Sequence, residues 1–264
     1  MVFLLRLAVP LILVSAVFSV PPVYGALKLV VIDPGHGGTN LGAPARFHPG
    51  RYEKHYTLIL SRYVREHLVA AGVKTVLTRE DDRDVTLFER IGLANRLGAD
   101  VFISLHLNAT EVPGPTGHET FFLALEATDE AARRLAKLES ADPTAVKKAA
   151  QVSVKDEGVN AILLDLKRNQ AHSDAQRLAA LIQERTTPRS PFKNRGVKQA
   201  PFFVLMGASM PAVVVEIGFI NHSREGRFIT SDKGLRAMAA GIAAGIIDYG
   251  QLVHDPRTDR RKKP

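Results

Sequence analysis

The chain has 264 residues, enough for one large domain or two small ones. Its hydrophobic share of 45% supplies ample core material, and the absence of cysteine excludes disulfides, thiolate metal ligands and a cysteine nucleophile. A formal charge of +8 favours anionic polymers and lipid headgroups as partners; nucleic acid is set aside, because no motif for binding it occurs.

Residues 1–25 read as a secretory signal peptide. Arg6 precedes an apolar stretch interrupted by Pro10, and Val23 and Gly25 fit the minus-three and minus-one positions of a cleavage site. On this reading the chain is exported to the periplasm or cell envelope and meets the membrane only in transit. The apolar run is also long enough to approach a membrane span, so an uncleaved anchor is the other reading.

Leu27 to Ile32 predicts a central strand, stopped by Asp33-Pro34-Gly35. A loop rich in Gly and Pro leads to an amphipathic helix from about Glu53 to Ala71, with Leu58, Leu60, Tyr63, Val64, His67 and Leu68 on its inner side. A strand over 73–78, a helix over 87–97, and strands over 101–107 and 119–125 follow. This alternation predicts an α/β fold: one domain over residues 26–252, with a twisted, mostly parallel (mixed) β-sheet and helices on both faces. Residues 126–160 break the rhythm. They are too few, and too poor in bulky apolar residues, for a separate core, and read as an inserted helical segment. Beyond it come a long helix or helix pair over 162–186 and two short strands within 197–219. A small-residue helix over 234–253, suited to close packing on the sheet, ends the domain. Residues 253–264 read as a disordered basic tail.

Four residues stand out. His36 lies in VVIDPGHGG, Glu53 at a helix start, His106 at the end of the apolar run FISLH, and Glu216 at the end of AVVVE. Two imidazoles and a carboxylate suit one Zn²⁺, with a second carboxylate left over as a base. Singly, each has an ordinary explanation. A loop His can be solvated, a first-turn Glu is favoured by the helix dipole, a strand His can bond a backbone group, and Glu216 can sit in a salt bridge. Asp33 is expected to accept a hydrogen bond from the His36 imidazole and set its tautomer, and Asn108 flanks His106. HExxH is absent, which removes the thermolysin-type arrangement.

In order and spacing, DPGHGG, the EK helix start, SLHLNA and VEIGFINH resemble the motifs of the zinc-dependent N-acetylmuramoyl-L-alanine amidases, from about Leu27 to Gly250. TRE at 78–80, ERIGLAN at 89–95 and VKQAPFFVL at 197–205 extend the likeness. The resemblance implies Zn²⁺ held by His36, Glu53 and His106, with Glu216 as the catalytic glutamate. It implies peptidoglycan as substrate, cut at the amide joining N-acetylmuramic acid to L-alanine of the stem peptide, in wall remodelling and daughter-cell separation. His48, His55 and His118 match no ligand and are expected in loops or on the surface. Thr57 and His222 replace the family's usual Asn and Ser-Asn pair, touch no ligand, and leave substrate fit open.

The insertion resembles a segment that, in cell-division members, covers the zinc cleft until an activator protein displaces it. Glu139 is the candidate to block the metal. Two rival readings are another zinc hydrolase of the same polymer, a peptidase or deacetylase, and a non-catalytic wall-binding protein. Retention of all four site residues speaks against the second.

Overall fold

The computed structural model describes residues 27–110, 114–141 and 159–253, with side chains in the last stretch described from residue 170. The signal segment, residues 254–264 of the tail and residues 142–158 of the insertion lie outside the described residues. No helix among the described residues is long and apolar enough to cross a membrane.

Six strands form one mixed sheet in the order β2-β1-β3-β6-β4-β5. β1 (Leu29–Pro34), β2 (Lys74–Leu77), β3 (Val101–Asn108) and β6 (Ala212–Phe219) run parallel. β4 (His118–Leu123) lies antiparallel to β6 and carries β5 (Asn194–Ala200) parallel to itself at the sheet edge. Every residue of β3 and β6 is buried, as expected of unbroken apolar runs with both faces covered. The reversal at β4 has a consequence for the site. It brings the starts of β4 and β5 to the same sheet edge as the ends of β1, β3 and β6.

Helices cover both faces. On one lie α1 (Glu53–Ala70), α4 (Val159–Thr186) and α6 (Asp232–Val253), packed through Leu60, Val64, Leu68, Leu178, Ile182 and Ile242. On the other lie α2 (Leu87–Leu97) and α3 (Glu130–Glu139), packed on Val31, Phe102, Phe121 and Val214. The short α5 (Glu225–Ile229) precedes α6. α2 starts in a capping box, with Glu89 N–H donating to Thr86 Oγ1 and Thr86 N–H to Glu89 Oε2.

Two local expectations differ from the structure, and one open alternative is decided. The inner stripe of α1 is Tyr56, Leu60, Val64 and Leu68, spaced four apart, so His67 falls one position off it and is exposed, while Leu58 and Tyr63 are half-buried. Of the two readings of 162–186, a long helix or a helix pair, the structure has the single helix, α4. The small-residue face of α6 meets other helices instead of the sheet: Gly241 faces Thr186 and Gly245 faces Ile182, both on α4.

Candidate metal centre

The chain leaves β1 into a tight loop around His36, whose φ of 60° is left-handed and uncommon for a side-chain-bearing residue. Two buried arginines hold this loop by its carbonyl oxygens. Arg79 donates to Pro34 O, Gly35 O and Lys54 O at 3.1, 2.8 and 2.8 Å. Arg90 donates to Pro34 O and His36 O at 2.8 Å each, and to Asp33 Oδ1 at 2.7 Å. Burial pushes Arg79 down to about 10, so it stays charged at neutral pH. Gly35 is needed for a different reason. A Cβ there would lie 2.4 Å from Cε1 of His106, so any side chain would evict that ring.

Asp33 does not reach the imidazole. Fully buried beneath the loop, it accepts from Thr78, Ser104 and Arg90, and touches the His36 segment only through Arg90. Burial opposes its charge, but Arg90 and the two hydroxyls outweigh it and keep the carboxyl below its usual range. The His36 Nδ1 partner is Asn40 Oδ1 at 2.9 Å, which also accepts from Gly42 N–H at 3.3 Å. An acceptor there leaves the proton on Nδ1 and turns the Nε2 lone pair toward the cluster.

That cluster gathers His36, Glu53, His106 and Glu139, with one donor atom from each lying within 4.8 Å of all the others. Glu53 comes from the first turn of α1. Its Oε1 accepts from Leu107 N–H at 2.8 Å and its Oε2 from Ala43 N–H at 3.1 Å, so its carboxylate is fixed by two neighbouring segments. His36 Nε2 lies 3.0 Å from Glu53 Oε2 and 3.3 Å from Glu139 Oε2. His106 Nδ1 lies 3.2 Å from Glu53 Oε1 and 3.1 Å from Glu139 Oε2. Burial works against charge on Glu53, yet the imidazoles hold its carboxyl well below the usual range. Burial likewise opposes a proton on His106, while Glu139 and Glu53 draw one to it. The cluster therefore calls for positive charge at its centre.

A cation fits this call. Donors about 2.0–2.1 Å from a tetrahedral Zn²⁺ stand roughly 3.3 Å from each other; the four His–carboxylate contacts here are 3.0–3.3 Å, within a set of donor atoms spanning up to 4.8 Å. His36 Nε2 is buried without a hydrogen bond; its short approach to Glu53 is not aligned as one. His36, Glu53 and His106 offer three donors, and Glu139 stands where a fourth would be. A cavity of about 40 Å³, room for a few waters, lies beside the cluster, lined by His36, His106 and Glu139 together with Asn40, Arg90 and Phe202.

Glu216 stands one strand away, in register with His106 on its buried face. Neither of its oxygens has a hydrogen-bond partner. Burial, with Glu139, Glu53 and Glu119 adding to it, pushes its carboxyl well up against the pull of His106. Asn108 donates to Glu119 Oε1 at 3.1 Å and so supports the neighbourhood of Glu216, with no contact to a donor of the cluster.

The other flagged residues fall outside the cluster. His48 is exposed, and His55 is half-buried in α1. His118 is buried, contrary to the expected loop or surface position. β4 starts at it, and alternation turns it with Thr120 toward α4, where Gln183 donates to its carbonyl at 2.9 Å. Thr57 donates to Gly35 O at 2.8 Å, and so braces the His36 loop. His222 accepts from Glu225 N–H at the start of α5. Arg79, Arg90 and Asn40 were not singled out as site residues by sequence reasoning. The first two lie inside the TRE and ERIGLAN motifs, which were the only available signal.

A mixed α/β sheet whose edge gathers two imidazoles and two carboxylates about one point, with a further buried acid alongside, defines a protein able to hold a divalent cation beside an acid–base group. The chain belongs to the N-acetylmuramoyl-L-alanine amidase family, whose pattern matches residues 30–248. It is 32% identical over 241 residues to N-acetylmuramoyl-L-alanine amidase AmiA of Escherichia coli (strain K12), covering 90% of this chain and 82% of that protein. Among solved structures it resembles the catalytic domain of CwlV, an amidase from Bacillus (Paenibacillus) polymyxa var. colistinus, with TM-score 0.63, 25% identity, and coverage of 84% and 98%. It also resembles amidase AmiC2 of Nostoc punctiforme, with TM-score 0.60, 28% identity, and coverage of 84% and 96%. Membership places the chain among the peptidoglycan hydrolases of the amidase class.

Proposed function

We propose that this chain is an exported, zinc-dependent amidase that cuts peptidoglycan between N-acetylmuramic acid and L-alanine of the stem peptide, and that α3 holds it closed. The convergence of donor atoms from His36, Glu53 and His106, with Glu216 one strand away, carries the reading. Zn²⁺ bound there supplies Lewis-acid polarisation of the amide carbonyl and lowers the pKa of water toward neutrality. His36 and His106 remain neutral as ligands, and Glu53 contributes the one negative charge. Glu216 takes a proton from the attacking water as the C–O bond forms, then gives it to the leaving nitrogen as the C–N bond breaks. Asp33, Arg79 and Arg90 keep the His36 loop in place throughout.

Glu139, in this reading, occupies the position that substrate needs. The contact of Glu139 Oε2 with both imidazoles supports it, as does the small size of the remaining cavity. α3 is also lightly held. Its buried apolar residues are Ala132, Leu135 and Ala136, worth roughly 3–5 kcal/mol before the cost of ordering the segment. An activator protein that engages the insertion can outbid that hold, in keeping with a role in daughter-cell separation. Export rests on residues 1–25 acting as a cleaved signal, and the basic charge suits an anionic wall.

The test is digestion of purified peptidoglycan by the full chain. It should release free stem peptides that begin with L-alanine, and a chelator should stop the release; products cut elsewhere would point to a peptidase or deacetylase. Glu139→Gln should raise the initial rate on the order of tenfold or more, as expected when a competing ligand is removed. An unchanged rate would remove self-blocking from the account while leaving the amidase intact.

A further inference from the structure

α3 presents a carboxylate at each end. Glu139, its last residue, faces the imidazoles. Asp129, its N-cap, places Oδ2 2.9 Å from Lys198 Nζ on β5. Lys198 Nζ also lies 3.0 Å from Glu119 Oε2, which Arg195 Nε approaches at 2.9 Å. Two cations of one strand reach a single carboxylate because β5 is bulged. His118 pairs with Asn194 but Thr120 with Val197, so a step of two residues on β4 meets a step of three on β5. Gly196, at φ 85°, absorbs the extra residue. Bulges of this kind re-aim side chains at sheet edges.

The position of this group relative to the metal-binding cluster follows from the sheet. Glu119 is in register with Glu216, and Glu216 with His106. Lys198 is therefore rooted three strands from His106, with the Glu119 it contacts two strands from it, roughly 10–15 Å away at strand spacing. A helix of ten residues spans about 15 Å, so α3 sets its two carboxylates at a matching separation.

Removing α3 takes away one of the partners of Lys198. Lys198 has two carboxylate partners, Asp129 on α3 and Glu119, and Glu119 is shared with Arg195. Glu119 keeps Arg195 and Asn108 as partners whatever α3 does. Lys198, whose side chain is 11% exposed, would face the opened cleft with one carboxylate fewer. An ammonium at the cleft wall that has lost one carboxylate partner offers a position for another anion.

We infer that Lys198, backed by Arg195, is a subsite for a free carboxylate of the substrate's stem peptide, and that Asp129 occupies it while α3 covers the cleft. The inference rests on the amidase reading. An extended peptide advances about 3.3 Å per residue, so the carboxylate belongs three to five residues from the scissile amide. α3 thus copies the substrate at two points, the reacting group and the distant anion.

The experiment uses the full-length chain carrying Glu139→Gln and two soluble muramyl tetrapeptides, one with free carboxylates and one with them converted to amides. The free-carboxylate substrate should show kcat/KM about tenfold or more above the amidated one, with the difference in KM, as a site built around a charged partner discriminates against its neutral analogue. Lys198→Met should erase the preference and Lys198→Arg should keep it. Hydrolysis of both substrates at equal kcat/KM with Lys198 intact would overturn the subsite and leave the amidase standing. Hydrolysis of neither would overturn the amidase reading and the subsite together.

Discussion

Glu216→Gln should leave metal content unchanged and lower turnover by about three orders of magnitude or more. Glutamine keeps the shape of the side chain, and the native carboxylate makes no hydrogen bond whose loss would disturb β6. None of the three proposed metal donors is altered. What disappears is the ability to accept a proton from water and return it to the departing nitrogen, and positioned acid–base groups contribute about 10²–10⁴ in rate. Two measurements on one preparation decide the matter: bound zinc by elemental analysis, and stem-peptide release from purified peptidoglycan. Near-normal release would remove Glu216 from the reaction. Loss of zinc would make it a ligand instead.

His106→Ala should show the opposite pattern, with metal and activity falling together. Substituting partners that merely orient a ligand costs about 10–100-fold in metal affinity, so removing a ligand should weaken binding by more than a hundredfold. The ring also fills space at the sheet edge. It packs edge-on against His36 at 4.9 Å between centroids, and Gly35 lies directly against it, so alanine leaves a hole lined by polar groups. Full zinc occupancy in the variant, measured by equilibrium dialysis, would show that the centre is built from other donors. Circular dichroism separates loss of the site from loss of the fold.

Much of the fold could be read from the sequence because its central strands are unbroken apolar runs. AVVVEIGF and VFISLHLN are strands on any pattern, and each places an ionisable residue at or near its carboxyl end. The donor residues could be read for the same reason: an imidazole closing such a run has few inexpensive places to go. What could not be read was long-range geometry. Nothing in DPGHGG says that Asp33 turns away from His36 toward Thr78, Ser104 and Arg90, because these contacts join segments 45 to 71 residues apart, and the orienting role of Asn40, four residues from His36, depends on the left-handed turn at His36. His118 was misplaced because β4 starts one residue earlier than the apolar pattern suggests, which takes His118 into the strand on the face it shares with Thr120, toward α4. The reversal of β4 and β5, which brings Glu119 beside Glu216, was equally invisible, since strand direction leaves no mark on a short apolar run.

The arginine clamp beneath the His36 loop bears on how the protein matures. Small zinc modules need the ion in order to fold, because little else organises their ligands. Here five hydrogen bonds from Arg79 and Arg90 fasten the loop and Asp33 from below, a sixth ties Arg79 to Lys54 on α1, and two backbone amides fix Glu53, none of them calling on a metal. Under the zinc proposal, folding and metallation would thereby be separable events. The polypeptide would reach its final shape in a compartment poor in zinc, with its ligands already aligned, and take up the ion later; refolding in a chelator, followed by zinc addition, tests this.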